Sequence, residues 1–381
     1  MKAVTTIDDL RLAARRRLPR AVFDFIDGGA GDEITLRRNS EDFDRIAFRP
    51  RALVDVSARD LSVPILGRIA QLPVVISPTG LSALAWSGAD RALARAAAAS
   101  GIPITLSSNS SIRIEDFARA APESRRWFQI YVYKDHDLVR RLVERALAAD
   151  YEALVLTVDV PVLGRRDRDQ RNRFTIPLHP TPRLIWDLLR CPRWAIGIAR
   201  QGVPRIENFF EPDAPRQRGN SMITLINSKM DPSLVWEDVA WLRDLWPRKL
   251  IIKGILAAAD AVKAERQGFD AIAVSNHGGR QLDGCVSAIA TLPAIVEAVG
   301  GHTEIYLDGG IRRGASIGKA LALGANAVMI GRPTLYGAAA GGEAGITAAI
   351  SILREEFDRC LALVGCPAAT KLNCSFIEAV R

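Results

Sequence analysis

The chain is poor in the residues that simple metal and thiol chemistries need. It has four histidines and five cysteines in 381 residues. Cys191, Cys285, Cys360, Cys366 and Cys374 are odd in number and form no CxxC pair. That argues against a disulfide framework or a zinc site and fits a reducing compartment. No bound metal is expected. No apolar run approaches the roughly 20 residues that a membrane-spanning helix needs. The opening MKAVTTIDDLRLAARRRLPR is charged and has no apolar centre, so it does not read as a signal peptide. Lysine and arginine outnumber aspartate and glutamate by 51 to 43, a net charge of +8. They are scattered, with no long basic run and no zinc or RNA-binding motif, so no nucleic-acid partner is expected. The surplus still favours anionic partners. No GxSxG stands directly at the end of a strand run, where a nucleophile elbow needs it, and no GxGxxG follows the first strand, so a hydrolase triad and a dinucleotide fold are unsupported.

What is present is a repeated unit. Eight short apolar runs are PVVIS (73–77), PITLS (103–107), WFQIYV (127–132), ALVLTVD (153–159), LIIKG (250–254), AIAVSN (271–276), EIYLDGG (304–310) and AVMIG (327–331). Alanine-rich helical patterns such as HDLVRRLVERALAAD and GASIGKALALG lie between them, several closing on glycine. Strands that are apolar throughout and alternate with helices form a parallel sheet covered on both faces. Eight such units predict a (β/α)8 TIM barrel, with an open doubly wound sheet as the alternative. The expected organisation is one domain over 1–381: an N-terminal segment (1–72), the barrel (73–159 and 249–345), an excursion after strand 4 (160–248) and a C-terminal helical segment (346–381). Within the excursion, residues 182–205 combine Ile185, Trp186, Leu188, Leu189, Trp194, Ile196 and Ile198 with Arg183, Arg190, Arg193, Arg200 and Arg205. Such a stretch suits an interfacial membrane helix. It equally suits a helix packed on the barrel or on a partner subunit.

A barrel carries its functional groups at the C-terminal ends of its strands. The polar residues there are Ser107, Gln129, Tyr131, Thr157, Asp159, Lys253, Ser275, His277, Arg280, Asp308, Arg312, Gly331 and Arg332. DGGIRRG (308–314) is a glycine-rich turn opening a helix, and GR follows the next strand. Glycines let backbone N–H groups approach an anion, and arginine grips it with two donors. Loops seven and eight commonly hold phosphate, from a cofactor or from a substrate. His277 lies past a strand end in SNHGGRQLDG, with Arg280 beside it. Asp159 is placed to orient its imidazole, and Arg280 suits a substrate carboxylate. Lys253 offers a positive charge to a developing anion.

The motifs PTG (78–80), LSS (106–108), FQIYV (128–132), LTVDVPVLGRRDRDQRNRF (156–174), KGI (253–255), SNHGGRQLDG, DGGIRRG and GRPTLYG (331–337) occur in this order over almost the whole chain. They resemble the FMN-dependent 2-hydroxy-acid dehydrogenase/oxidase family, most of all its membrane-associated mandelate and L-lactate dehydrogenase members. The resemblance implies oxidation of an (S)-2-hydroxy acid to the 2-oxo acid. It implies FMN over the barrel mouth, contacted by Pro78, Thr79, Gly80, Ser107, Gln129 and Thr157, with Lys253 at the ring edge and Ser275 along the flavin chain. Its phosphate would lie at Arg312, Gly331, Arg332 and the backbone of Asp308, Gly309 and Gly310. The resemblance makes His277 the base with Asp159 behind it. Arg280 and Arg166 face the carboxylate, and Tyr131 the substrate oxygen. One departure is Phe25, where the family mostly has tyrosine. That ring beside Gly80 suits a bulky acid such as mandelate, with lactate second. The resemblance further implies a quinone or other carrier as electron acceptor, a tetramer by analogy, and a cytoplasmic protein on the inner face of the cell membrane, attached through 182–205. A soluble, peroxide-forming oxidase is the alternative, and a flavin-free barrel binding a phosphorylated metabolite the remoter one.

Overall fold

A computed structural model describes residues 4–178, 181–210 and 222–379. Eight parallel strands close into a barrel: β1 (Val74–Ile76), β2 (Ile104–Ser107), β3 (Arg126–Ile130), β4 (Ala153–Thr157), β5 (Lys249–Ile255), β6 (Ala271–Val274), β7 (Glu304–Asp308) and β8 (Ala327–Ile330). They follow one another round the ring in chain order, and Val328 of β8 pairs with Val74 of β1 to shut it. Each predicted apolar run supplies one strand. Nearly every strand residue is buried because the barrel lumen is filled by side chains and the outside is covered by helices.

The covering helices follow from local sequence. In His136–Ala148 the Asp135 carboxylate caps the Leu138 N–H at 2.9 Å. Leu138, Val139, Leu142, Val143 and Ala146 then form the one buried stripe that a 3.6-residue period allows. The helix Ala89–Ser100 ends on Gly101 in the left-handed conformation (φ 64°), as the glycine there predicted. The helix Arg332–Val364 follows β8 directly, with non-helical dihedrals at Gly341 and Gly342.

The N-terminal segment forms a roof. Its first helix, Ile7–Arg17, starts at a Thr6–Asp9 capping box and packs on Arg332–Val364. The second, Arg20–Asp27, ends above the barrel mouth. Asp27 secures it, accepting from Arg11 at 2.5 and 2.9 Å, from Tyr336 at 2.7 Å and from Arg168 at 3.1 Å. Burial opposes the Asp27 charge, but these donors outweigh it and hold its carboxyl well below the usual range.

Beyond β4 the chain leaves the barrel through helices Pro182–Arg190, Pro192–Gln201 and Met222–Lys229 before returning at β5. Trp194 anchors this excursion: it is buried, and its indole N–H donates to the Leu84 carbonyl at 2.7 Å. Ile185, Trp186, Leu189 and Ile196 are more than half exposed, at 53, 61, 71 and 51%. Arg190, Arg193 and Arg200 are also exposed; the side chain of Arg183 lies outside the described residues. Among the described residues no helix is long and apolar enough to cross a membrane.

Candidate active site

At the C-terminal mouth of the barrel, one cavity is lined from almost every loop. Pro78, Thr79 and Gly80 reach it from β1, Ser107 and Asn109 from β2, and Tyr131 from β3. Lys253 comes from β5, His277 and Arg280 from the loop after β6, Asp308–Arg312 from β7, and Gly331 and Arg332 from β8. Phe25 and Ile26 descend from the roof and Arg166 from the excursion. The lining holds five permanent cations (Arg166, Lys253, Arg280, Arg312 and Arg332) and one acid, Asp308. That balance suits a ligand set carrying more than one anionic group.

His277 sits in a tight turn, with φ of 58° at His277, 66° at Gly278 and 73° at Gly279. Its backbone N–H donates to Ser275 Oγ at 3.0 Å. Its Nδ1 lies 2.8 Å from Asp159 Oδ1. A carboxylate there selects the tautomer with the proton on Nδ1 and leaves Nε2 free as an acceptor. Asp159 approaches because Gly254 sits beneath it: with φ of 110°, a Cβ there would meet Asp159 Cβ at 2.7 Å.

Lys253 is fixed by a buried chain of contacts. Its Nζ lies 2.8 Å from Ser275 Oγ and 2.9 Å from Asp308 Oδ2. Ser275 donates onward to Asp308 Oδ2 at 2.7 Å, and Ser77 to Asp308 Oδ1 at 2.9 Å. Burial opposes both charges, yet each sustains the other: Asp308, with Asp159, keeps the ammonium above its ordinary pKa, and Lys253 keeps the Asp308 carboxyl below its own.

The arginines at the mouth are held largely by backbone carbonyls. Arg280 has no carboxylate within ion-pair distance among the described residues. It donates to the carbonyls of Phe25 at 2.7 Å and Gly28 at 3.0 Å. Burial, then Arg166 and Arg332, pushes its pKa well below the guanidinium norm. An anion entering this place meets a cation that is short of counter-charge. Arg332 directs three N–H groups to the carbonyls of Ile26 (3.1 Å), Gly278 (2.9 Å) and Gly28 (2.8 Å), which leaves two of its five for a ligand. Arg166 is steered by Asp169, 3.4 Å away. Both Arg166 and Arg280 lie over the face of Phe25, at 5.3 and 5.2 Å, and Phe25 stacks on Phe174 at 4.6 Å.

Four predicted residues do not face the cavity. Gln129, Asp159 and Ser275 lie one layer below it, and Thr157 lines an adjoining cavity that shares Tyr131, Val160 and Met230 with the first. Ser275 instead links Lys253, Asp308 and the His277 backbone. Tyr131 is buried, and its hydroxyl is held in the neutral form by that burial and by Asp159. Sequence reasoning missed Asn109, Asp169, Phe174 and the carbonyls of Phe25, Ile26 and Gly28. Of these, Asp169 and Phe174 carried a signal, since both lie in the quoted LTVDVPVLGRRDRDQRNRF stretch.

A planar heteroaromatic cofactor with a phosphate fits these residues. Gln129 Nε2 and Thr157 Oγ1 are buried without a partner, as donors awaiting a polar ring edge would be. Gly309 and Gly310 (φ 102° and 79°) keep the β7 turn flat, and a Cβ at Gly310 would strike the Asn39 carbonyl at 1.7 Å. The helix starting at Gly314 and the one starting at Arg332 both open at this edge of the mouth.

Residues 14–379 match the family model described as FMN-dependent dehydrogenase. The chain belongs to that family. It is 42% identical to (S)-mandelate dehydrogenase of Pseudomonas putida, over 98% of this chain and 93% of the relative. It is 44% identical to L-lactate oxidase of Nostoc sp., over 96% and 95% of the two chains. The crystal structure of the monotopic membrane protein (S)-mandelate dehydrogenase superposes with a TM-score of 0.94 at 41% identity, covering 99% of this chain and all of the other. The dependence on FMN implied by the motifs and the (β/α)8 TIM barrel predicted from the eight strand–helix units therefore hold.

Proposed function

We propose that the protein oxidises an (S)-2-hydroxy acid to the 2-oxo acid, with a mandelate-like acid preferred and lactate second. The observation that carries this is the Asp159–His277 pair, 2.8 Å apart, opening into the same cavity as Arg280, Arg166 and Tyr131. The relatives named for mandelate and L-lactate support the substrate class. His277 Nε2 takes a proton from the substrate, and Asp159 holds the ring and stabilises the imidazolium that results. Arg280 and Arg166 bind the carboxylate, Arg280 best because it is buried and has no carboxylate within ion-pair distance among the described residues. Tyr131 stays protonated and donates to the substrate oxygen. FMN, when bound, accepts the two electrons. Gln129 and Thr157 would meet its ring, Lys253 would offer it positive charge, and Arg312, Arg332, Gly331 and the backbone of 308–310 would hold its phosphate. Phe25, stacked on Phe174, gives the acid an apolar wall, and Gly80 lines the same cavity.

The electron acceptor is a quinone or another membrane carrier, reached from a membrane surface on which residues 182–205 lie. The exposed face of Ile185, Trp186, Leu189 and Ile196, flanked by Arg190, Arg193 and Arg200, supports this. Anaerobic bleaching of the bound flavin by mandelate, lactate and glycolate tests the reaction. A clear preference for glycolate would sink the substrate assignment, and bleaching by none of them the function. For the membrane, Trp186→Glu with Leu189→Glu should move the protein from vesicles of anionic phospholipid into the supernatant, and unchanged partitioning would refute the surface.

A further inference from the structure

Asn109 follows β2, directly across the barrel ring from β6 and its His277–Arg280 loop, because three strands lie between them in either direction. It is buried to 8% exposure and lines the cavity. Three of its four polar groups are committed inside the protein. The backbone N–H donates to Ser107 Oγ at 3.1 Å, and the carbonyl accepts from Leu81 N–H at 2.9 Å. Oδ1 accepts from the Tyr133 hydroxyl at 3.2 Å. Ser108 Oγ lies 2.9 Å from the same hydroxyl and can donate to it while Tyr133 donates to Asn109. In this arrangement the amide oxygen faces Tyr133 and Nδ2 is turned away from it. The remaining group, Nδ2, has no partner among the described residues, and it is not among the side-chain nitrogens sealed from solvent. The amide therefore presents two N–H donors to the cavity. Gly80 stands beside it, and a Cβ there would already press on Asn109 Cβ at 3.2 Å, so the space before the amide stays open.

We infer that Asn109 is a specificity-determining donor and that the preferred substrate is an aromatic 2-hydroxy acid carrying a hydrogen-bond acceptor, such as a hydroxyl, at the far end of its side chain. This rests on the proposed 2-hydroxy-acid oxidation. With the reacting carbon at His277 and the carboxylate at Arg280, the remaining substituent extends across the mouth toward β2. An apolar ring end leaves two buried amide donors without water or partner, whereas an oxygen there satisfies one of them. Leu81, beside Asn109, and Ile226 and Met230 complete an otherwise apolar wall.

The test compares mandelate, its 4-hydroxy derivative and its 4-methyl derivative, which matches the hydroxyl in size, in kcat/KM and in anaerobic flavin bleaching. The expected result is a preference of about 5- to 10-fold for the hydroxylated acid over the methylated one, of the size one net hydrogen bond gives. Asn109→Leu should bring that ratio to about one, and Tyr133→Phe, which only frees the amide to turn, should lower it partway. A spectral titration with 4-hydroxyphenylacetate against phenylacetate reads the same preference as binding without turnover. Equal rates for the hydroxylated and methylated acids, or a ratio that Asn109→Leu leaves intact, would overturn the inference while leaving the oxidation standing. Bleaching by no 2-hydroxy acid would overturn both.

Discussion

Phe25→Tyr puts a hydroxyl where the carboxylate clamp has only guanidiniums. The ring is already immobilised: it stacks on Phe174 at 4.6 Å and carries Arg166 and Arg280 over its faces at 5.3 and 5.2 Å. Little side-chain entropy remains to be lost, and the new hydroxyl enters beside Arg280, which already binds the Phe25 and Gly28 carbonyls. A net hydrogen bond contributes about 0.5–1.5 kcal/mol, and about 1.5–3 when one partner is charged. The hydroxyl has to lose water between a phenyl ring and two cations, which places the gain near ~1–1.5 kcal/mol, or about 5- to 12-fold in affinity. The gain is made in the ground state and the transition state alike, so it falls on KM and leaves kcat nearly constant. The assay is steady-state turnover of mandelate and lactate with an artificial electron acceptor, on enzyme fully loaded with FMN. Lactate, which lacks a large side chain to anchor it, should gain at least as much as mandelate. A KM within about 2-fold of the parent for both acids, or a change carried by kcat, would refute the idea that residue 25 touches the carboxylate.

Asp159→Asn keeps a hydrogen-bonding oxygen near His277 but removes the charge that stabilises the imidazolium; kcat for mandelate should fall about 10- to 100-fold with KM held within a few-fold, and Asp159→Glu should recover part of it. Equal losses in kcat and in FMN content would instead make Asp159 structural. Asp90 is buried at the start of the helix Ala89–Ser100, and burial raises its carboxyl from 3.8 to about 7. The unfolded chain ionises it first, so folding stability should fall as pH rises from about 4 to about 7, by up to ~4 kcal/mol. Asp90→Asn should flatten that fall in melting temperatures taken from pH 5 to pH 8, and parallel curves for the two proteins would count against it. Removing FMN should lower the melting temperature, and adding it back at about 100 times its Kd should restore ~2.7 kcal/mol, read by calorimetry; a melting temperature indifferent to FMN would contradict the proposed cradle.

The parts of the molecule that were plain in the sequence share a physical cause. A barrel strand is covered on both sides, so PVVIS or ALVLTVD is apolar whatever its neighbours are, and burial writes itself into consecutive residues. The positions of His277, Lys253 and Arg280 were legible for a related reason, since polar residues just past such runs must lie at the mouth. The contacts of Ser275 were not legible, because the period that locates a strand end does not say which side chains turn inward. Its hydroxyl bonds Asp308 and Lys253, two residues that line the cavity. Asn109 was silent because its meaning depends on Tyr133, whose hydroxyl decides which way the amide faces.

The roof was the least legible element, and it alters how the clamp works. Arg280 and Arg332 reach 252 and 304 residues back along the chain to the Gly28 carbonyl, and a backbone acceptor has no residue type to announce it. The helix Arg20–Asp27 ends there, so its last carbonyls point at two buried cations that have no carboxylate partner among the described residues. Those carbonyls carry only partial charge, enough to orient Arg280 but not to neutralise it. On the proposed reading a substrate carboxylate would supply the missing charge without displacing them, because a guanidinium has five donors and the roof takes only part of them. The roof would then preorganise the arginine that the substrate saturates. Asp27, held by Arg11, Tyr336 and Arg168, lies between Ile26 and Gly28 and so fixes where those carbonyls sit.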